Sequence, residues 1–165
     1  MAGSSIRISL VDQRLDLFED GVCVRSFAVS TARKGAGELN GSECTPRGAH
    51  EIHAKIGAEA PDGTAFEGRE PTGVLCTGER FAAEPERDWI LTRILWLAGL
   101  EPERNQGGEV DTLSRYIYIH GCPDELPVGR PGSHGCVRMR NQDVRELFDR
   151  VEIGTRVQID EHSRA

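Results

Sequence analysis

At 165 residues, with 38% hydrophobic residues, 28% charged residues and a net charge of −7, the chain is sized for a single domain over 1–165, its core spanning about 5–160. The acidic balance argues against nucleic acid or an anionic membrane surface as the main partner, because both reward clustered Lys and Arg. No stretch reaches the ~18–20 consecutive apolar residues of a membrane span, and the densest run, Trp89 to Leu100, is broken by Thr92, Arg93 and Gly99.

The 19 glycines and 8 prolines promise many turns and so a sheet-rich fold. Ahead of Ile6 there is neither a basic segment nor a long apolar one, so the chain is expected in the cytoplasm, or in the periplasm if a leader has been removed. Five cysteines at irregular spacings suit reduced thiols better than a disulfide framework.

Ile6, Ile8 and Leu10, then Leu15 and Leu17, alternate with the period of a half-buried strand, as two short strands or one bent one. Asp20-Gly21 supplies the positive φ values of a tight hairpin turn, and Val22, Val24, Phe27 and Val29 form the return strand. From Thr31 to Glu43 the chain reads as a mobile surface loop, whose Gly35, Gly37 and Gly41 do not match a dinucleotide-binding spacing. A strand follows over Ala49 to Ile56, with Ile52, Ala54 and Ile56 on one face, and Glu59 to Glu70 is loop-like.

Asp88 to Leu100 has β-branched and aromatic content that favours a buried strand, although Ile90, Ile94 and Leu97 also fit helical spacing. Pro102 to Thr112 is a polar loop, and Tyr116 to Ile119 is a short apolar run ending at His120. Val144, Leu147, Phe148 and Val151 make the stripe of a short helix, with Asn141 or Asp143 as its N-cap. Arg156 to Ile159 closes the chain as a strand. The expected fold is therefore mainly β, with one or two packed helices.

The chemistry sits in His120-Gly121 and, after a loop, Ser133-His134-Gly135-Cys136-Val137-Arg138. A free thiol is only a few per cent ionised at neutral pH, so a neighbouring imidazole is its usual activator. His120, fixed at the end of a strand, is the candidate base for Cys136, and a main-chain carbonyl could orient its ring without an Asp. Gly121 leaves that histidine uncrowded. Gly135 lets successive backbone N–H groups ahead of the helix converge on an oxyanion. Arg138 either holds a substrate carboxylate or pins the loop through carbonyls. His134 either transfers protons or shapes the loop, and Tyr118 shares the His120 strand face, bordering the pocket or packed.

Those stretches resemble the signature of the L,D-transpeptidase (YkuD-like) family, a His-Gly followed by Ser/Thr-His-Gly-Cys. The opening hairpin closing on Val29-Ser30-Thr31, the Thr45-Pro46-x-Gly48 element, and the Asn141, Asp143, Leu147 helix are also similar to the family's. The resemblance implies a β-sandwich catalytic domain with a groove over the two loops, Ser133, Arg138 and Tyr118 among the substrate-binding residues, and no metal or cofactor. It implies that Cys136, aided by His120 and His134, attacks the bond between the L-centre of diaminopimelate and D-Ala in peptidoglycan stem peptides or muropeptides. A thioester forms and is resolved by an amine or by water. It also implies acylation by carbapenems at the nucleophile. Location and acidity favour water, hence an L,D-carboxypeptidase of recycled stems.

Other readings compete. A cysteine amidase of different substrate range would keep the dyad, and a murein-binding module would leave the thiol inert. Cys23, Cys44 and Cys76 read as buried small hydrophobes. Cys122 is a minor rival nucleophile beside His120. His50 and His53 read as core or solvated histidines rather than metal ligands.

Overall fold

The computed structural model describes residues 3–163; Met1, Ala2, Arg164 and Ala165, which the single-domain reading includes, lie outside the described residues. A ten-stranded sheet dominates it. Strands β1 (Ser4–Ser9), β2 (Arg14–Glu19) and β3 (Val22–Ala28) form an antiparallel meander. The first run is thus two strands, and Asp20 and Gly21 sit at φ 52° and 80° in the two-residue turn between β2 and β3. β4 (Gly48–Ile56), β5 (Thr64–Glu67), β6 (Glu70–Leu75), β7 (Ile90–Gly99), β8 (Tyr118–Gly121), β9 (Val137–Met139) and β10 (Arg156–Asp160) complete the sheet. Its order is β3-β2-β1-β10-β4-β7-β5-β6, with β8 on β7 and β9 on β8.

The sheet curls. Side chains from the β2–β3 end of this order, Leu15 and Phe27, and from the β8–β9 branch, Ile119 and Val137, meet in one core with Val144, Leu147 and Phe148 of helix α2 (Asn141–Arg150). The two faces of the expected sandwich therefore belong to one continuous sheet, closed by a helix whose apolar stripe falls where its periodicity put it.

Several local expectations are corrected. Glu59 to Glu70 is not simply loop, because Thr64, Ala65 and Phe66 are buried in β5, which pairs with both β6 and β7. A short helix, α1 (Gly78–Ala83), follows, capped by Thr77 Oγ1 accepting from the Arg80 N–H. The N-cap of α2 is Arg140 rather than Asn141 or Asp143, and it has no side-chain cap. Asn141 is instead used sideways: it donates through Nδ2 to the Cys122 carbonyl (3.0 Å) and accepts from Thr92 Oγ1 (2.6 Å). Thr92 sits at φ 75°, at the irregularity where β7 shifts register against β8. A Thr at positive φ costs energy, and this bond is part of what holds it there.

The loop beginning at Thr31 is not free at its root. Thr31 and Ala32 are buried, Ser30 bridges to Arg138 and Ala32 to Ser133. Nor are Cys23, Cys44 and Cys76 buried: Cys23 is exposed on edge strand β3, and the other two are half-buried. Val22 and Val24 are also exposed on that edge strand.

His50 is a core histidine and His53 an exposed one that meets Trp96 edge-on at 5.0 Å. The His50 ring lies between the Gly48 carbonyl on Nδ1 and Thr112 Oγ1 on Nε2, each at 3.0 Å, an arrangement that satisfies the neutral imidazole. Burial pushes it down to about 4. A depressed histidine contributes stability that is present above its unfolded pKa of ~6.5 and is lost as pH falls toward the folded value. From pH 7.5 to 4.5 the native protein should lose roughly 2–3 kcal/mol through this group. Denaturant unfolding of wild type and His50→Gln at both pH values checks it; equal acid losses in the two proteins would contradict it.

Candidate active site

The parallel pairing of β8 with β9 builds the site. Ile119 lies opposite Val137 and His120 opposite Arg138, so Cys136, one residue before β9, arrives beside Tyr118 on the strand that carries His120. The turn that carries Cys136 therefore leads into a strand, not directly into a helix as its sequence suggested.

Ser133 shapes that turn. Its hydroxyl donates to the Cys136 carbonyl at 2.5 Å and accepts from the Gly135 N–H at 3.2 Å. Being buried and fully engaged, Ser133 organises the loop rather than presenting its hydroxyl to substrate. The Gly135 N–H is likewise spent, whereas those of His134 and Cys136 donate to no protein atom among the described residues. Thr45 braces the turn from outside: its hydroxyl donates to the Gly135 carbonyl and accepts from the Ala32 N–H, both at 2.9 Å. Gly135 itself sits at φ 130°, where a side chain would be strained. A side chain at Gly121 would collide with Asn141 Oδ1 and the Leu91 carbonyl, so this glycine is set by close packing beneath the site.

His120 is 1% exposed, and its Nδ1 lies 2.6 Å from the Gly121 carbonyl. That carbonyl can only accept, so the proton belongs on Nδ1 and Nε2 carries the lone pair. Burial lowers the imidazole pKa, opposed by Asp88 and by the Gly121 bond, so the ring is neutral at neutral pH. The thiol of Cys136 rests between main-chain groups: Sγ accepts from the Tyr118 N–H at 3.3 Å and donates to the Tyr116 carbonyl at 3.5 Å. No hydrogen bond joins it to either histidine among the described residues. Although Cys136 as a residue is half-buried, desolvation pushes its thiol up to about 12. At rest this is a neutral thiol beside a neutral imidazole.

These groups line a cleft of about 450 Å³ with Asp88, Ile90, Tyr116, Tyr118, Arg69 and Arg115. His134 is exposed at its edge. Tyr118 is packed and also borders the cleft, its hydroxyl accepting from Arg69 at 3.0 Å. Burial raises its phenol pKa. Arg138 takes the loop-pinning alternative: it donates to the Gly132 carbonyl at 3.1 Å, lies 3.8 Å from Asp88, and is absent from the cleft wall. Cys122 is fully buried elsewhere, with Sγ directed to the Met139 carbonyl at 3.5 Å and burial pushing it up to about 11.

Sequence reading missed Arg69, Asp88 and Arg115. Arg115 is held by the carbonyls of Gly37, Glu38 and Cys44 and by Ser42 Oγ, tying the 37–44 loop to the cleft. None of the three lies within the signature, and only tertiary contacts bring them to it.

A family model described as the L,D-transpeptidase catalytic domain matches residues 3–159. The protein named "Probable L,D-transpeptidase YbiS" from Escherichia coli is 43% identical over 65 residues, 39% of this chain and 21% of that protein. "Probable L,D-transpeptidase ErfK/SrfK" from Salmonella typhimurium is 41% identical over 58 residues, 35% and 19% of the two chains. These matches span well under two thirds of the curated relatives' length. Among solved structures, the L,D-transpeptidase of Xylanimonas cellulosilytica superposes with a TM-score of 0.60 at 24% identity, over 96% of this chain and 61% of that one. L,D-transpeptidase 3 of Mycobacterium tuberculosis, in complex with a faropenem-derived adduct, gives 0.60 at 18% identity, over 97% and 61%. These likenesses establish the fold.

Proposed function

The chain belongs to the L,D-transpeptidase catalytic-domain family, and on that premise we propose that it is a cysteine acyltransferase acting on peptidoglycan stem peptides, with Cys136 as nucleophile and His120 as base. The observation that carries this reading is the placement of the thiol and a neutral, carbonyl-oriented imidazole in one cleft.

In the proposed reaction the substrate carbonyl enters above Cys136. The thiol proton, at rest donated to the Tyr116 carbonyl, passes to His120 Nε2 as Sγ bonds to the carbonyl carbon. Burial favours the protonated thiol at rest, so in this reading His120 takes the proton as attack proceeds. The N–H groups of His134 and Cys136 are the available donors for the oxyanion. Collapse expels D-Ala, whose amine takes the proton back from the imidazolium, and leaves a thioester on Sγ. Water attacks next, its proton again passing to Nε2; the C–S bond then breaks, the tripeptide leaves as its carboxylic acid, and the departing sulfur takes the proton from the imidazolium to restore the thiol.

We further propose that water is the main acceptor and that the protein works in the cytoplasm on soluble stems, as an L,D-carboxypeptidase. The net charge of −7 supports this, since it disfavours retention on an anionic polymer. The competing outcome is transfer to a second stem in a cross-link. Pure protein incubated at high concentration with a disaccharide tetrapeptide should give tripeptide and released D-Ala by mass. Dimers as the main product would refute the hydrolytic reading and leave the acyl transfer intact.

A further inference from the structure

We propose that Arg69 is the specificity residue of this cleft, gripping a carboxylate of the substrate as the scissile bond is laid over Cys136; this rests on the acyl transfer proposed above.

Three arginines stand at or beside the cleft, and their hydrogen bonds separate them. Arg115 has four bonds to carbonyls and a hydroxyl, so its fork is filled. Arg138 is occupied with the Gly132 carbonyl and Asp88. Among the described residues Arg69 makes one hydrogen bond, from Nη1 to Tyr118 Oη, and forms no ion pair. Its remaining N–H groups are available, and a guanidinium offers them in the planar fork that matches a carboxylate.

The side chain is also presented rigidly. Its guanidinium carbon lies 4.7 Å from the Tyr116 ring centre and 5.2 Å from that of Trp96. Those rings and Tyr118 support one another, with Trp96 at 5.9 Å from Tyr116 and 6.1 Å from Tyr118. Stacking of this kind holds the charge in place and lowers the entropy lost when a ligand binds. Tyr116 and Tyr118 are the residues whose backbone holds the Cys136 sulfur, so the platform beneath Arg69 is the one beneath the nucleophile.

The backbone gives an independent sign. Glu67 pairs with Glu70, leaving Gly68 and Arg69 as a two-residue hairpin loop with φ 55° and 69°. Turns with positive φ at both central positions favour Gly, Asn or Asp, and an Arg there is disfavoured. Strain retained at a position that projects into a cleft is a mark of use rather than of folding convenience.

Two carboxylates of a stem tetrapeptide belong to the residues that flank the scissile bond, the terminal one on D-Ala and the one on the side chain of diaminopimelate. Three peptides separate them: the free acid, its D-Ala amide, and the side-chain amide. With Arg69→Gln, kcat/KM on the free acid should fall about 10- to 100-fold, the loss expected for a charge-assisted hydrogen bond. On the amide that removes the gripped carboxylate, the wild type should already be impaired and Arg69→Gln should cost less than about threefold, which identifies the group. Arg69→Lys should keep part of the discrimination.

Calorimetric titration of Cys136→Ala protein with the same peptides, with and without Arg69→Gln, reads the grip without turnover. Preference for the free acid that vanishes in the double variant supports the proposal even if the tetrapeptide is not cleaved, in which case the reaction proposed above fails alone. Equal losses on all three peptides, unchanged discrimination, or binding with no preference for a free carboxylate would overturn it.

Discussion

Cys136→Ala should abolish turnover of the stem tetrapeptide and the mass increase on exposure to a carbapenem, while Cys122→Ala keeps most of both. The expected loss is on the order of 10⁴-fold or more, as for other covalent catalysts deprived of their nucleophile. The fold should survive, because Cys136 borders a cleft and the turn around it is held by Ser133, Thr45 and the β8–β9 pairing rather than by the sulfur. Cys122 offers the contrasting case. Its thiol is buried against the Met139 carbonyl outside the cleft and is pushed up to about 11, so it is neither reachable nor readily ionised. Truncating it should cost about 1 kcal/mol of packing instead of activity. Intact-protein mass together with kcat/KM decides between them, and the reverse pattern would mean that the motif had been misassigned.

The second large effect is expected at the base. His120→Ala should lower kcat about 10²- to 10⁴-fold near neutrality, the range that a general base supplies. Its recovery in alkali should be incomplete. With the thiol pushed up to about 12 by burial, ionisation by solvent rises about tenfold per pH unit yet stays far from complete at any pH the fold tolerates. In the wild type, the acid limb of kcat/KM should lie below the ordinary histidine value of ~6.5. The sign follows from the cause: desolvation lowers the imidazole pKa, so protonation, which removes the base, needs more acid. His134→Ala, on an exposed ring with no hydrogen bond to the thiol, should lose less at neutrality and lack the alkaline recovery. Equal alkaline rescue of the two variants, or an acid limb above ~6.5, would remove His120 from this role.

The parts of the fold governed by short-range physics could be read from the residues. Asp20-Gly21 marks a hairpin because few other pairs accept two positive φ values, and the Val144, Leu147, Phe148 stripe marks a helix because its period is that of one face. The candidate dyad was legible for a related reason: His120 ends an apolar strand, and Ser133 to Cys136 form a compact turn whose residues bond to one another. The Glu59 to Glu70 stretch escaped because burial of Thr64, Ala65 and Phe66 depends on β7 lying beside them, a partner more than 20 residues away. The N-cap of α2 escaped because Asn141 found partners in Thr92 and Cys122.

What the sequence by itself determined was the predominance of strands, and it singled out the candidate residues Cys136 and His120 with a neighbouring His134. Tertiary structure decided how those groups stand. It set the thiol on the Tyr116 and Tyr118 backbone, turned Arg138 and Ser133 into loop supports, and brought Arg69, Asp88 and Arg115 to the cleft. The physical reason is that residue type fixes which bonds a side chain can make, whereas burial, strand register and competing partners fix which of them it does make.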